Sequence, residues 1–224
     1  HYIHGIHPAG YHLVNILLHT LTQYLISILA KIIFKNSTNP DTKAATTSYL
    51  FAIHPIHTEP VCCIVGRSDL LCGALYIISL LLYVDGTGGK RKKPIKLVFA
   101  YAVGILSSLS KEVGLMIFPL FLSVEIIRAV ESVDRKRSAF FALKEIPLRW
   151  FKNPSTTIPS FLTPIGVILF HLSLHGKTKQ YTWSILENDI SLLPSQLHRM
   201  MSYAYVHGVY LWKLFYPWRL CYDY

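Results

Sequence analysis

Apolar stretches long enough to enter a membrane recur along this chain, at residues 13–34, 49–65, 70–84, 97–109, 113–127, 158–174 and 203–216, with the cations held in short loops between them. Segments of this kind cross lipid as helices. Several fall short of the roughly 20 residues needed to cross alone, so they must pack inside a bundle or thin the bilayer. More than half the residues are apolar and few are charged, which is a membrane composition and not that of the one or two soluble domains the length would permit. The expected class is all-α: a polytopic transmembrane helix bundle over residues 1–174, then a loop domain over 175–224 with an interfacial or membrane helix. The last stretch, rich in Tyr and Trp, has the look of an interfacial belt.

The formal charge of +10 could suggest nucleic acid, but no basic helix or aromatic single-strand platform accompanies it. No nucleic-acid partner is expected. Three loops hold most of the cations: Lys31, Lys35 and Lys43; Lys90, Arg91, Lys92, Lys93 and Lys96; Arg128, Arg135, Lys136, Arg137, Lys144, Arg149 and Lys152. The positive-inside rule makes all three cytoplasmic. An even number of crossings must then separate consecutive loops, so 49–84 and 97–127 form two hairpins whose tips face the other side. Residues 5–12, 54–69, 110–112 and 175–199 share that face, and every unusual polar group is expected to converge there. Asp85-Gly86-Thr87-Gly88-Gly89 reads as a flexible turn. Asn36-Ser37-Thr38 is a glycosylation sequon left on the cytoplasmic side, where it would go unused.

Ionisable groups at membrane depth usually line a cavity or a water interface, which singles out His54, His57, Glu59, Arg67 and Asp69. His54 and His57 with Glu59 could hold zinc on a helix, but Pro55 and Pro60 oppose a regular helix there. Cavity lining, substrate contact and plain polar packing remain as readings, and no metal is expected. Ser68 or Asp69 could cap the helix that follows. Arg67 has a planar fork suited to phosphate, with an ion pair to Glu59 or Asp69 as the alternative. Lys111 and Glu112 form either a solvated hairpin tip or a cation held for a lipid phosphate. His7 and His12 precede a stripe in which His12, Asn15 and His19 share one helix face; for Asn15 and His19 that spacing suggests bonds between helices. Glu187, Asn188, Asp189 and Arg199 are read as solvated loop charges, followed by an amphipathic segment at 192–201 lying along the surface. Pro159 and Pro164 could break or kink the helix they enter. Cys62, Cys63, Cys72 and Cys221 have neither metal spacing nor a disulfide framework.

Taken in order, His7-Pro8-Ala9-Gly10-Tyr11-His12-Leu13-Val14-Asn15-Ile16-Leu17-Leu18-His19, Phe51-Ala52-Ile53-His54-Pro55-Ile56-His57-Thr58-Glu59, Gly66-Arg67-Ser68-Asp69-Leu70-Leu71 and Ser110-Lys111-Glu112 resemble one family. It is the transmembrane and tetratricopeptide-repeat-containing O-mannosyltransferases of the endoplasmic reticulum, and the likeness extends to the tail at 199–223. The resemblance implies a GT-C type fold, dolichyl phosphate mannose as lipid-linked donor with no further cofactor, and Ser/Thr hydroxyls of secretory-pathway proteins such as cadherins as acceptors. It implies a multi-pass membrane location with the polar site facing the lumen. It also implies an acidic pair before His1 as the catalytic base region and helical repeats beyond Tyr224. On that reading the chain is an internal fragment, and Arg67 and Lys111 steady the phosphate while Glu59, Asp69, His54 and His57 contact or orient the donor. Glu187-Asn188-Asp189 departs from an Asp-Asn-Pro-like element of the family. The alternative from the residues alone is a transporter whose buried His, Glu and Arg line an ion or proton path, though no internal repeat of the kind common in transporters is found. A third reading is a non-catalytic membrane subunit.

Overall fold

The computed structural model describes residues 8–89, 91–131, 153–175, 188–218 and 220, and within them every regular element is helical. Helix α1 (Pro8–Ile33) and α2 (Pro40–Ile53) run antiparallel, a register fixed by three contacts along their length. Ser48 Oγ donates to the Gln23 carbonyl at 3.2 Å; His19 Nε2 meets the Ala52 carbonyl at 3.4 Å; and Lys31 pairs with Asp41 at 3.0 Å. After α2 come a single tight turn at Pro55–His57 and the five-residue α3 (Thr58–Cys62). Then α4 (Arg67–Thr87) and α5 (Pro94–Ser110) return as an antiparallel pair, followed by α6 (Ile117–Glu131), α7 (Pro154–His175) and α8 (Gln196–Phe215). Among the described residues, three helices are long and apolar enough to cross a membrane: Pro8–Ile33, Arg67–Thr87 and Pro154–Leu174. This is an all-α membrane helix bundle.

The core forms where small residues let helices approach. On α5, Ala100, Gly104 and Ser108 repeat every four residues and are buried, giving a smooth ridge of the kind membrane helices pack on. Ser79 of α4 donates to the Ala100 carbonyl at 2.7 Å. A Cβ on Gly104 would meet Ser79, Ile117 and Phe118 at 3.1–3.3 Å, so glycine sets the spacing of α4, α5 and α6. Above this ridge Tyr83 stacks flat on Phe121 with ring centres 4.0 Å apart, and Tyr101 and Phe118 close the cluster. The opposite faces of α1, α2, α7 and α8 carry exposed Leu, Ile, Phe and Trp, as helices facing acyl chains do.

Several sequence expectations need correction. Residues 49–65 are not one spanning helix: α2 starts at Pro40 and stops at Ile53, before Pro55. Residue His54, held extended by the proline after it, begins the break. Three of the five residues expected as a flexible turn, Asp85, Gly86 and Thr87, are the last turn of α4, and Asp85 is clamped by Lys93 at 2.6 Å and by Lys96. The segments 192–201 and 203–216 are largely one continuous helix, α8, started by Ser195, whose Oγ accepts from the His198 N–H. Pro159 and Pro164 lie inside α7 without ending it.

Polar groups also do not all gather at one end. Across the bundle from the break, Tyr83 donates to Glu125 at 3.2 Å, and Arg128 reaches Thr87, Glu125 and the Val84 carbonyl, the last at 3.0 Å. These bonds tie α4 to α6 at the lysine-bearing end. Arg128, read from sequence as a loop cation, thus belongs to an interhelical network.

Candidate functional site

The break between α2 and α4 is built by three devices. Proline at 55 and 60 removes backbone donors, and the end of α3 at Cys62 leaves carbonyls that need partners. Asn15, fully buried on α1, supplies them: its Nδ2 faces the carbonyls of Pro60, Val61 and Cys63 at 3.4, 3.2 and 2.9 Å. Gly66 then lets the chain fold back, since a Cβ there would lie 2.5 Å from the Cα and O of Pro60. The interhelical role expected for Asn15 and His19 is what the structure contains.

His54 is locked in one tautomer. Its Nδ1 accepts from the Ile56 N–H at 3.2 Å and its Nε2 contacts the Leu214 carbonyl of α8 at 3.0 Å, so the proton sits on Nε2. His57 packs against Phe51 and His19, ring centres 4.2 and 5.1 Å away. Burial, reinforced by His19 and His54, holds the His57 pKa down to about 4 from an ordinary 6.5. The unfolded chain therefore binds the extra proton more readily, and stability falls as pH drops from 6.5 toward 4. His57→Gln is expected to flatten that part of the pH dependence of the melting temperature in detergent. An unchanged slope would show that other groups carry it.

At the start of α4, Arg67 lies over the Tyr11 ring, 5.0 Å from its centre, a cation–π arrangement. Its Nε and Nη2 are buried without hydrogen-bond partners. Arg67 makes no ion pair with Glu59 or Asp69 among the described residues; Asp69 instead holds Lys111 through Oδ1. Neither Ser68 nor Asp69 caps α4: Gly66 is the capping residue and contributes no side chain, while Ser68 Oγ donates to the Val65 carbonyl. Asp69 in the first turn still complements the positive end of the helix. Lys111 is positioned by the α5–α6 tip, where Ser107 Oγ donates to the Cys72 carbonyl at 3.0 Å. Glu112 is exposed beside it.

The structure therefore pairs Asp69 with Lys111 and turns Arg67, two residues before Asp69 in the first turn of α4, toward Tyr11 of α1, while His54, His57 and Glu59 lie in the break. Residue His12 is half-buried on α1, and His7 lies outside the described residues. A groove of about 820 Å³ runs between the break and α8, lined by Pro55, Ile56, Glu59, His207, Tyr210 and Leu214 among others. Sequence reasoning missed this wall, because α8 looked like two separate segments. In the tail, Asn188 exchanges hydrogen bonds with Tyr203 at 3.1 Å and Arg199 donates to the Leu193 carbonyl at 2.7 Å. Those two loop residues are thus bonded within the fold, while Glu187 lies outside the described residues. Among the described residues no three potential metal ligands gather.

A helical membrane bundle with a kinked, cation-bearing re-entry at one end defines the class: a polytopic membrane protein. The chain is 28% identical to protein O-mannosyl-transferase TMTC4 of Mus musculus over 98% of its length, and 28% identical to protein O-mannosyl-transferase F38B6.6 of Caenorhabditis elegans over 99%. It is 27% identical to protein O-mannosyl-transferase TMTC1 of Homo sapiens, again over 99%. The chain is thus similar, along nearly its whole length, to proteins named as O-mannosyl-transferases, the family its motifs resemble. It spans 32%, 28% and 26% of the lengths of these three relatives. No family model matches the chain, and no solved structure matches it significantly.

Proposed function

We propose that this chain is membrane domain of a protein O-mannosyltransferase that takes mannose from dolichyl phosphate mannose and transfers it to Ser/Thr hydroxyls of secretory-pathway proteins, cadherin-type domains among them. The observation that carries this reading is the Arg67 guanidinium, whose Nε and Nη2 are buried without partners, in the same first turn of α4 as Asp69, the partner of Lys111, in a chain similar to O-mannosyl-transferases over nearly its whole length.

In the reaction the bond from the sugar's anomeric carbon to the phosphate oxygen breaks, and a bond to the acceptor hydroxyl oxygen forms. The hydroxyl proton passes to a carboxylate, and negative charge builds on the departing lipid phosphate. Donors fixed in advance where charge develops are what such a step needs. Arg67 and Lys111 fill that role in this reading, with Asp69 orienting Lys111. The carboxylate is expected in the acidic pair that the family resemblance implies. The working face would be the lumen of the endoplasmic reticulum, with the lysine-rich loops in the cytoplasm.

Full-length protein in lipid nanodiscs, given dolichyl phosphate mannose labelled in the sugar and a cadherin-type acceptor domain, is expected to label the acceptor, and the sequon at Asn36 is expected to carry no glycan in cells. Proton or ion flux without labelling would favour the transporter reading. A glycan on Asn36 would invert the sidedness.

A further inference from the structure

Two turns meet at the end of the bundle opposite the break. Leu29, near the end of α1, packs against the cluster that holds Leu80 and Tyr83 of α4, so α1 and α4 finish at a similar level. The Lys93 N–H donates to the Gly86 carbonyl at 2.9 Å, which closes the turn from α4 to α5 beside the turn from α1 to α2. Cations outnumber carboxylates there. Asp41 takes Lys31, Asp85 takes both Lys93 and Lys96, and Glu125 takes Arg128.

With those carboxylates satisfied, Lys35, Lys43, Arg91 and Lys92 stand exposed and have no carboxylate partner among the described residues. Lys43 lies 5.9 Å from the centre of the Phe34 ring, and Lys92 donates to Ser155 Oγ at 3.1 Å. Neither contact cancels a charge. A surface of one sign attracts anions from outside the protein, and the residues beside it say which anion fits. Ile32 and Ile33 are exposed just before Lys35, and Ile95 and Val98 are exposed in the first two turns of α5, just after Arg91 and Lys92. A soluble polyanion gains nothing from those apolar side chains. A phospholipid meets both, with its headgroup on the cations and its acyl chains against the isoleucines.

We propose that this end of the bundle is a binding surface for anionic phospholipid, with Lys35, Lys43, Arg91 and Lys92 as its headgroup contacts. The surface lies apart from Arg67 and Lys111, which belong to the break end, and it stands independently of the transferase reading. It agrees with the sidedness proposed above, because cytoplasmic leaflets are rich in anionic lipid.

The test places full-length protein in phosphatidylcholine nanodiscs with a trace of spin-labelled phosphatidylserine or spin-labelled phosphatidylcholine, and compares how much of each label the protein immobilises. The wild type is expected to prefer phosphatidylserine about two- to fivefold at low salt, and the preference should fade at about 0.5 M salt, where screening acts within a few ångströms. Replacing all four cations by Gln should remove most of the preference and leave the melting temperature within a degree or two of wild type. The pair Arg91→Gln and Lys92→Gln should remove about half of it, which keeps the test sound if the fourfold variant fails to fold. A preference that survives in the folded variants would overturn the surface, as would a wild type that treats the two lipids alike. Glycerophosphoserine, the headgroup without its chains, should compete only weakly; competition as strong as that of the intact lipid would show a site for free phosphate esters and overturn the assignment to lipid.

Discussion

Arg67→Ala in the full-length protein is expected to lower mannosyl transfer by about 10²–10³-fold, the range seen when one preorganised donor to a developing negative charge is removed. The size of the effect follows from where the guanidinium sits. Tyr11 fixes its plane, two of its donors are out of contact with water and unbonded, and the positive end of α4 lies beneath it. Arg67→Lys should recover only part of the rate, because an ammonium keeps the charge but loses the rigid fork. The loss should fall on kcat, with the melting temperature within a degree or two of wild type, since Arg67 holds no carboxylate whose partner would be stranded. Transfer above half the wild-type rate in Arg67→Ala would remove this residue from the reaction. Glu59, exposed at the groove, should matter less.

The second large effect is structural. Gly66→Ala places a methyl group 2.5 Å from backbone atoms of Pro60, and backbone cannot step aside as a side-chain tip can. Overpacking of this kind destabilises by about 1–3 kcal/mol or more. Residues 60–63 are also the ones that Asn15 holds, and Gly66 directly precedes Arg67, so the damage should reach the site. The expected result is a melting temperature lower by several degrees together with reduced transfer. Gly166→Ala, where a Cβ meets nothing within 4 Å, should instead leave the melting temperature unchanged or slightly higher. Equal behaviour of the two variants would contradict the close approach at Gly66.

Much of this arrangement is legible in the residues themselves. Hydrophobic length announces α1, α4 and α7, the lysine runs mark one end, and Pro55 with Pro60 forbids a regular helix where the break lies. The three- and four-residue spacing of His12, Asn15 and His19 exposes the inward stripe of α1. The start of α2 is hidden because residues 41–48 read as polar. In the helix, Thr46 and Thr47 bond back to the carbonyls of Thr42 and Lys43, and Ser48 bonds to α1, so their polarity is absorbed. The Tyr83–Glu125–Arg128 network is hidden for another reason. Glu125 and Arg128 share one face of α6, but Tyr83 lies 42 residues before Glu125, and no local period connects it to them. The partner of Asp69 is hidden on similar grounds, since Lys111 comes from a different hairpin.

Helix α1 has 26 residues and α2, lying alongside it, has 14. At 1.5 Å per residue these are about 39 Å and 21 Å, so the shorter helix stops some 18 Å early and the irregular segment fills the remaining height. That segment meets α1 at Asn15 and His19, about two and three turns from its start. In the transferase proposed above, a donor held in the leaflet would approach this segment from the flank and a water-borne acceptor from the end of the bundle. On that proposal, the unequal lengths of two neighbouring helices would give donor and acceptor separate approaches.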